Sequence, residues 1–226
     1  MSEDLQQKKT WLDTSLSPEA RADAFLQELS TAEKINQAVS VFFPPYELKK
    51  PDYALGVGGV SCLIMRGLDS RQDAANLQRE TQQEIMARSP HHIPAIFHME
   101  GLTGAFIQGA ESFPAGIARG ATFDPQLEQE IAQIVARQEL ALGITHIFAP
   151  VLDVARDPRM GRMGESYGEE PTLVSVMGAH YVRGIHNVAV QGRRAEAVAK
   201  HFLGSHAVEG GIHAATCYVA PRELIQ

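Results

Sequence analysis

The chain has 226 residues, 44% hydrophobic and 21% charged, which is the composition of a globular protein with room for one large domain. Its formal net charge is -7, and Lys and Arg cluster only in short pairs such as Lys49-Lys50 and Arg193-Arg194, so we expect no nucleic-acid partner. No run of about 18 apolar residues occurs. Residues 1–9 are polar and lack the apolar segment of a secretory signal, so we expect no membrane association and a cytoplasmic location.

The cysteines and histidines show no metal-ligand spacing. Cys62 and Cys217 lie far apart without a CxxC pattern, so we expect two buried, apolar thiols in a reducing compartment rather than a disulfide. The ends of barrel strands can present histidines together, but the spacing of the candidates here matches no zinc motif; they are His98, His201, His206 and His213. We therefore expect neither a metal nor another cofactor.

The first 50 residues predict a helical lead-in. Ser17-Pro18-Glu19 opens a helical pattern in which Ala22, Phe25, Leu26 and Leu29 recur at helix spacing. A second short helix is predicted to start at Ser30 or Thr31.

After the lead-in, strands and helices alternate. The short apolar runs at 56–65, 94–99, 145–151 and 195–202 predict four buried strands. Helical periodicity predicts helices at 69–88, with Asp69 or Ser70 as the cap, at 125–142 and at 172–186, and another helix begins at Pro221. This alternation predicts an α/β fold in which helices cover a parallel sheet.

Periodicity alone does not distinguish a doubly wound sheet from a barrel. The polar groups favour the barrel, because His98 to Glu100, residues 155–165 and Lys200-His201 all follow strand ends, where barrel enzymes place their chemistry. The glycines of residues 56–60 precede a strand and do not open a helix, so they are not a dinucleotide-binding loop. A closed barrel has eight strand-helix units and about 250 residues. We therefore predict a single partial domain over 1–226, the N-terminal part of a TIM-type (β/α)8 barrel that is incomplete in this chain.

Residues 149–171 form a loop dense in charge. So many charges at a strand end must form ion-pair networks, line a polar pocket, or both. Arg162, between Gly161 and a nearby Gly164, has backbone room and is the best candidate to reach a ligand. We expect most of the other charged side chains to brace the loop, namely Asp153, Arg156, Asp157, Glu165 and Glu169.

Two further strand ends carry reactive side chains. Lys200 and His201 end an apolar strand, and a lysine there needs an acceptor such as a carboxylate or a polyhydroxylated ligand. Glu100 supplies a carboxylate at another strand end. The triplet His98-Met99-Glu100 lacks the PCxxC partner of a zinc deaminase, and no GxSxG serine motif occurs.

In these segments the chain resembles the family 3 glycoside hydrolases. The matching stretches are LSTAEKINQ at 29–37, IPAIFHMEGLTG at 93–104, FPAGIARGATFDP at 113–125, the charged loop at 149–171, and KHFLG at 200–204 followed by Glu209-Gly210-Gly211. The ordered series is specific, whereas KHF alone is a weak signal.

The resemblance implies an enzyme that hydrolyses terminal non-reducing β-D-glycosidic bonds of oligosaccharides or glycosides, with a retaining mechanism. It implies that Glu100, Arg162, Lys200 and His201 bind the sugar, and that the nucleophile and the acid/base lie beyond Gln226, so the chain alone is expected to be inactive. Thr103 and Met163-Gly164 depart from the family pattern, which leaves the choice of glucose, xylose or arabinose open. A homo-oligomer of the full-length protein is also left open.

Two alternatives remain. The chain is a non-catalytic fragment or sugar-binding remnant if no nucleophile follows it. A β-N-acetylhexosaminidase is the other alternative, although Leu203 and Ser205 break the KHFPGHG sequence usual in those members.

Overall fold

A computed structural model describes residues 10–43 and 52–225. Residues 1–9, the pair Lys49-Lys50 and Gln226 lie outside the described residues. The strands are β1 (Ser40–Phe42), β2 (Gly59–Ser61), β3 (Ile96–Met99), β4 (His146–Ile147) and β5 (Glu196–Ala197). The helices are α1 (Pro18–Glu28), α2 (Thr31–Gln37), α3 (Arg71–Arg88), α4 (Gly116–Gly120), α5 (Pro125–Ala141), α6 (Pro171–His186) and α7 (Pro221–Ile225).

The five strands form one parallel sheet in the order β1-β2-β3-β4-β5, so each strand pairs with the next one in the sequence. A doubly wound sheet reverses its strand order at a switch point. The described strands show no such reversal, and consecutive parallel order is the arrangement of a barrel. The predicted α/β, barrel-type fold is confirmed.

The two faces of the sheet differ in chemistry. Side chains alternate along a strand, and Val60, Phe97, Met99 and Ile147 are buried in the hydrophobic clusters with α3, α5 and α6. The register His98↔His146 aligns two histidines on the opposite face. Residue 100 follows residue 98 at a spacing of two, so Glu100 continues this polar face, which is the interior side of the sheet.

Side-chain caps explain where the helices begin. Ser30 and Glu33 form a capping box at α2, and the Ser70 hydroxyl accepts a hydrogen bond from the Asp73 N–H at α3. Asp124 caps α5 in the same way. The helices predicted at 69–88, 125–142 and 172–186 are confirmed to within two residues, as is the helix that begins at Pro221.

Several boundaries differ from the prediction. The strand predicted at 56–65 is paired only at Gly59–Ser61, because Leu63–Gly67 turns into a 3-10 helix. The strand predicted at 195–202 is paired at Glu196–Ala197, with one further bridge between Val151 and Lys200. Apolar residues continue past both paired segments, buried at Cys62 and Met65 after β2 but exposed at Phe202 after β5. Hydrophobicity therefore overstated the length of both strands.

Two further expectations were wrong, those for the lead-in and for Cys217, and one helix was not predicted. The lead-in is not wholly helical, since β1 lies within it and pairs with β2. The five-residue helix α4 was not predicted, because its GIARG sequence contains two glycines, which disfavour helices. Cys62 is buried and burial raises its pKa, whereas Cys217 is exposed; both thiols are free.

Candidate functional site

Glu100 and Lys200 form an ion pair at the carboxyl-terminal edge of the sheet. Glu100 directly follows β3, and Lys200 is held beside the end of β4, where its N–H donates to the Pro150 carbonyl at 3.1 Å and its own carbonyl accepts from Leu152 N–H at 2.6 Å. The Lys200 ammonium donates to Glu100 Oε2, and its side chain is only 11% exposed. The lysine therefore has the carboxylate partner that its burial requires.

Arg162 connects the charged loop to the end of β5. Its Nε and Nη2 donate to the two carboxylate oxygens of Glu165 at 2.6 and 2.7 Å, a bidentate pair. Its Nη2 also lies 2.9 Å from His201 Nε2. Hydrogen bonding from Arg162 holds the pKa of Glu165 below its ordinary value, and the charges of Arg162 and Lys200 lower it further.

Asp153 lies behind His201 at the centre of a second group of hydrogen bonds. Its side chain is 4% exposed, and its Oδ2 lies 2.8 Å from His201 Nδ1. The backbone N–H of His201 also donates to Oδ2, at 3.1 Å, and the Ser205 hydroxyl donates to Oδ1 at 2.9 Å. Ser166 donates its hydroxyl to the Asp153 carbonyl, which ties the far end of the charged loop to the same residue.

The four site residues predicted from the sequence thus lie in one place. Glu100 pairs with Lys200, and Arg162 contacts His201. The charge of Glu100 contributes to the raised pKa of Arg162, so the two pairs interact electrostatically. The sequence interpretation missed Asp153 and Glu165 as members of this group, because it expected both to brace the loop.

For Asp157 the bracing expectation is confirmed. Its carboxylate accepts hydrogen bonds from Arg159 Nε at 3.0 Å and from Nη2 at 2.7 Å, on the surface. Arg156 pairs with the exposed Glu223 at 3.3 Å. Nothing in the pattern of alternating charges distinguishes these residues from Asp153 and Glu165, because the difference depends on how the loop turns.

A buried ion pair fixes the rear of the loop. Arg119 in α4 donates through Nε to Glu128 Oε2 at 2.8 Å and through Nη1 to the carbonyls of Leu102 and Pro114 at 2.6 and 2.7 Å. The hydroxyl of Tyr167 donates to Glu128 Oε1 at 2.6 Å. This network therefore anchors the loop at Tyr167, two residues after the glutamate that binds Arg162.

Two glycines of α4 lie directly against the backbone of the charged loop. A Cβ added at Gly116 would lie 2.3 Å from the Glu165 carbonyl oxygen, and one at Gly120 would lie 2.1 Å from the Tyr167 carbonyl oxygen. Contacts below about 3.0 Å do not occur for real side chains. The absence of side chains at both positions therefore allows the helix to approach the loop.

Below Glu100, the interior face of the sheet carries a stacked histidine. His98 lies against the ring of Phe148, with centroids 4.3 Å apart and planes 11° apart, and its Nε2 is 2.6 Å from the Ser40 hydroxyl. Burial lowers the pKa of His98 to about 4, with a smaller contribution from His146. The ring of His98 is therefore uncharged at neutral pH.

A cavity of about 480 Å³ opens beside the site. Its polar lining includes Asp153, Lys200, His201 and His206, and its apolar lining includes Leu152, Val154, Phe202 and Val219. His206 is 2% exposed, and neither ring nitrogen has a hydrogen-bond partner. Burial lowers its pKa, so its ring is neutral.

Comparison with known proteins identifies the family. The family model described as the Glycosyl hydrolase family 3 N terminal domain matches residues 30–226. A β-xylosidase from Formosa agariphila is 34% identical over 154 residues, which is 64% of this chain and 21% of that protein. A periplasmic β-glucosidase from Salmonella typhimurium is 30% identical over 201 residues, or 87% of this chain and 25% of that protein.

A solved structure of a β-glucosidase from Erythrobacter marinus superimposes with a TM-score of 0.83 and 29% identity, over 96% of this chain and 30% of that one. The chain thus spans less than a third of the length of these relatives. Over the part of the chain that the structure describes, no helix has the length and apolarity needed to cross a membrane. The family match extends from α2 to the last residue, and on that match the chain belongs to glycoside hydrolase family 3, as its N-terminal domain.

Proposed function

We propose that this domain supplies part of the sugar-binding subsite of a β-glycosidase that removes terminal non-reducing glucosyl or xylosyl residues. The observation that carries the proposal is the convergence of Glu100, Arg162, Lys200 and His201 on one edge of the sheet. The relatives named above as a β-xylosidase and β-glucosidases support the substrate class.

The chemistry of the group suits a sugar ring. Adjacent hydroxyls donate and accept at the same time, so a carboxylate such as Glu100 accepts their protons while Lys200 and Arg162 donate to their oxygens. Charge-assisted bonds of this kind are about twice as strong as neutral ones. They hold the ring while it distorts toward the oxocarbenium geometry of the transition state.

The carboxylates described here are engaged in other contacts. Asp153 is enclosed and accepts hydrogen bonds on both oxygens, and Glu165 is held by the bidentate bond from Arg162. Neither is free to attack an anomeric carbon. We therefore propose that the nucleophile and the acid/base come from parts of the enzyme outside this chain. From the family resemblance we propose a retaining mechanism, in which these two carboxyl groups stand about 5 Å apart.

A binding measurement tests the subsite. In Arg162→Lys the ammonium cannot reproduce the fork that contacts Glu165 and His201, so the affinity for glucose or xylose, measured by titration calorimetry, should fall about 10- to 100-fold. The matched control is Arg159→Lys, three residues away, because Arg159 is 69% exposed and bonds Asp157 on the surface. Equal affinities for the two variants would remove Arg162 from the subsite.

A turnover measurement tests the catalytic part of the proposal. The 226-residue chain and a form extended to the next stop codon of the gene are assayed on nitrophenyl β-glucoside, β-xyloside, α-arabinofuranoside and N-acetyl-β-glucosaminide. We expect turnover of the glucoside or xyloside by the extended form alone. Turnover by the short chain would place the nucleophile within it, inactivity of both forms would favour a non-catalytic sugar-binding remnant, and preference for the N-acetylglucosaminide would indicate a hexosaminidase.

A further inference from the structure

The orientation of the His201 ring follows from its two neighbours. A guanidinium group has donors and no acceptor, so the 2.9 Å contact with Arg162 Nη2 requires a lone pair on His201 Nε2. The ring proton must then be on Nδ1, which lies 2.8 Å from Asp153 Oδ2 and donates to it. His201 is therefore the neutral tautomer with the proton on Nδ1.

We propose that Asp153 is a positioning residue, which fixes this tautomer of His201 and so makes Nε2 a hydrogen-bond acceptor that faces the sugar. The inference rests on the proposed function, because it assigns a partner to an atom of the same subsite. Nε2 accepts from Arg162 Nη2 in the structure, and from a sugar hydroxyl when a ligand is bound.

The surroundings of Asp153 support this role. Three hydrogen-bond donors hold the carboxylate in one orientation, namely His201 Nδ1, the His201 backbone N–H and the Ser205 hydroxyl. His206 covers it from the other side, but its Nε2 lies 3.7 Å from Asp153 Oδ2 and its ring is neutral. His206 therefore does not neutralise the carboxylate of Asp153. The negative charge of that carboxylate stabilises the proton on Nδ1 of His201.

The tautomer decides which ligands the site accepts. In this tautomer, His201 Nε2 is an acceptor like the nearby carboxylates of Glu100 and Glu165. These three groups bind hydrogen-bond donors, and the donor that a sugar offers is a hydroxyl group. The opposite tautomer would place an N–H against the N–H groups of Arg162. That arrangement would leave two donors facing each other, so the histidine or the arginine would have to move.

The substitution Asp153→Ala tests the inference because it removes the acceptor of the His201 Nδ1–H. Without the carboxylate, the Nδ1–H of His201 loses its acceptor, so the preference for the Nδ1–H form is lost. An Asn side chain would not test this, because Oδ2 also accepts from the His201 backbone N–H and the amide would keep its oxygen in that place. Long-range proton–nitrogen NMR spectra of the chain with labelled histidine report which ring nitrogen carries the proton. The His201 signals are assigned by their loss in His201→Gln.

We expect the Nδ1–H form in the wild-type chain and the Nε2–H form in Asp153→Ala. The affinity of this variant for glucose or xylose should be lower by about 10- to 100-fold, the usual size of an effect on an orienting partner. The control is Glu169→Ala on the same loop, which removes an exposed carboxylate outside the lining of the cavity and should change neither quantity.

Three results would overturn the inference: an Nε2–H form in the wild-type spectrum, a variant that keeps the Nδ1–H form, or a changed tautomer with unchanged affinity. The wild-type spectrum decides the first of these even if the variant fails to fold. If the wild-type chain binds neither sugar but its tautomer responds as expected, the proposed function fails while the orienting effect of Asp153 on His201 stands.

Discussion

The contact between α4 and the charged loop predicts a large effect from one added methyl group. In Gly120→Ala, the new Cβ would lie 2.1 Å from the Tyr167 carbonyl oxygen and 2.9 Å from its carbonyl carbon, where 3.4 Å begins ordinary contact. The backbone of one element would have to move by roughly 1 Å. Tyr167 does not yield easily, because its hydroxyl is bonded to the buried Glu128. Overpacking of this kind costs about 1–3 kcal/mol.

The assay compares the free energy of unfolding of Gly120→Ala with that of Gly67→Ala, measured by urea denaturation. Gly67 ends a 3-10 helix, and a Cβ there meets nothing within 4 Å, so this control should change stability by less than about 0.5 kcal/mol. Gly120→Ala should also weaken sugar binding, because Tyr167 follows Glu165 by two residues. If the two alanine variants unfold at the same urea concentration, the close approach of α4 to the loop is not a constraint on the fold.

Two further predictions concern buried charge. Glu139 in α5 is wholly buried, neither carboxylate oxygen has a hydrogen-bond partner, and burial raises its pKa far above 4.5. Above pH 4.5 the folded state therefore binds one proton more than the unfolded state. The free energy of unfolding should fall by up to about 1.4 kcal/mol per pH unit as the pH rises above 4.5. Glu139→Gln should remove this slope and be more stable than the wild type at pH 7 in thermal melts, and an unchanged slope would contradict the assignment. Arg119→Met leaves Glu128 buried without its cation and should lower the free energy of unfolding by about 3–5 kcal/mol in urea titrations. Arg88→Met, the exposed control, should cost less than about 1 kcal/mol.

The helices were predictable because their starts are encoded locally. Ser30, Ser70 and Asp124 each supply an oxygen to the first turn, and the apolar periodicity that follows needs no knowledge of the partner. The strand β1 has three residues and α4 has two glycines in five, so neither carries enough local signal. Both form because of what they contact, β2 for the strand and the charged loop for the helix.

The candidate site was predictable where topology determines position. Glu100, Lys200 and His201 follow strand ends, and parallel strands bring their carboxyl ends to one edge. The partners of Arg162 were not predictable, because they depend on two consecutive 3-10 turns at Pro158–Met160 and Met163–Glu165 that reverse the direction of the loop. The charged residues of the loop look alike in the sequence, which does not show which of their side chains a turn directs toward the site.

The ion pairs of the site are better explained by ligand recognition than by stability. A buried pair usually contributes little net stability, because removal of two charges from water offsets their attraction. The lowered pKa of His98 just below Glu100 indicates that this interior disfavours charge. Lys200 and Glu100 are nevertheless placed there, beside the second pair formed by Arg162 and Glu165. Groups that are held in position and partly deprived of water lose little further hydration when a ligand arrives, which is the condition under which charge-assisted bonds to hydroxyls are strongest.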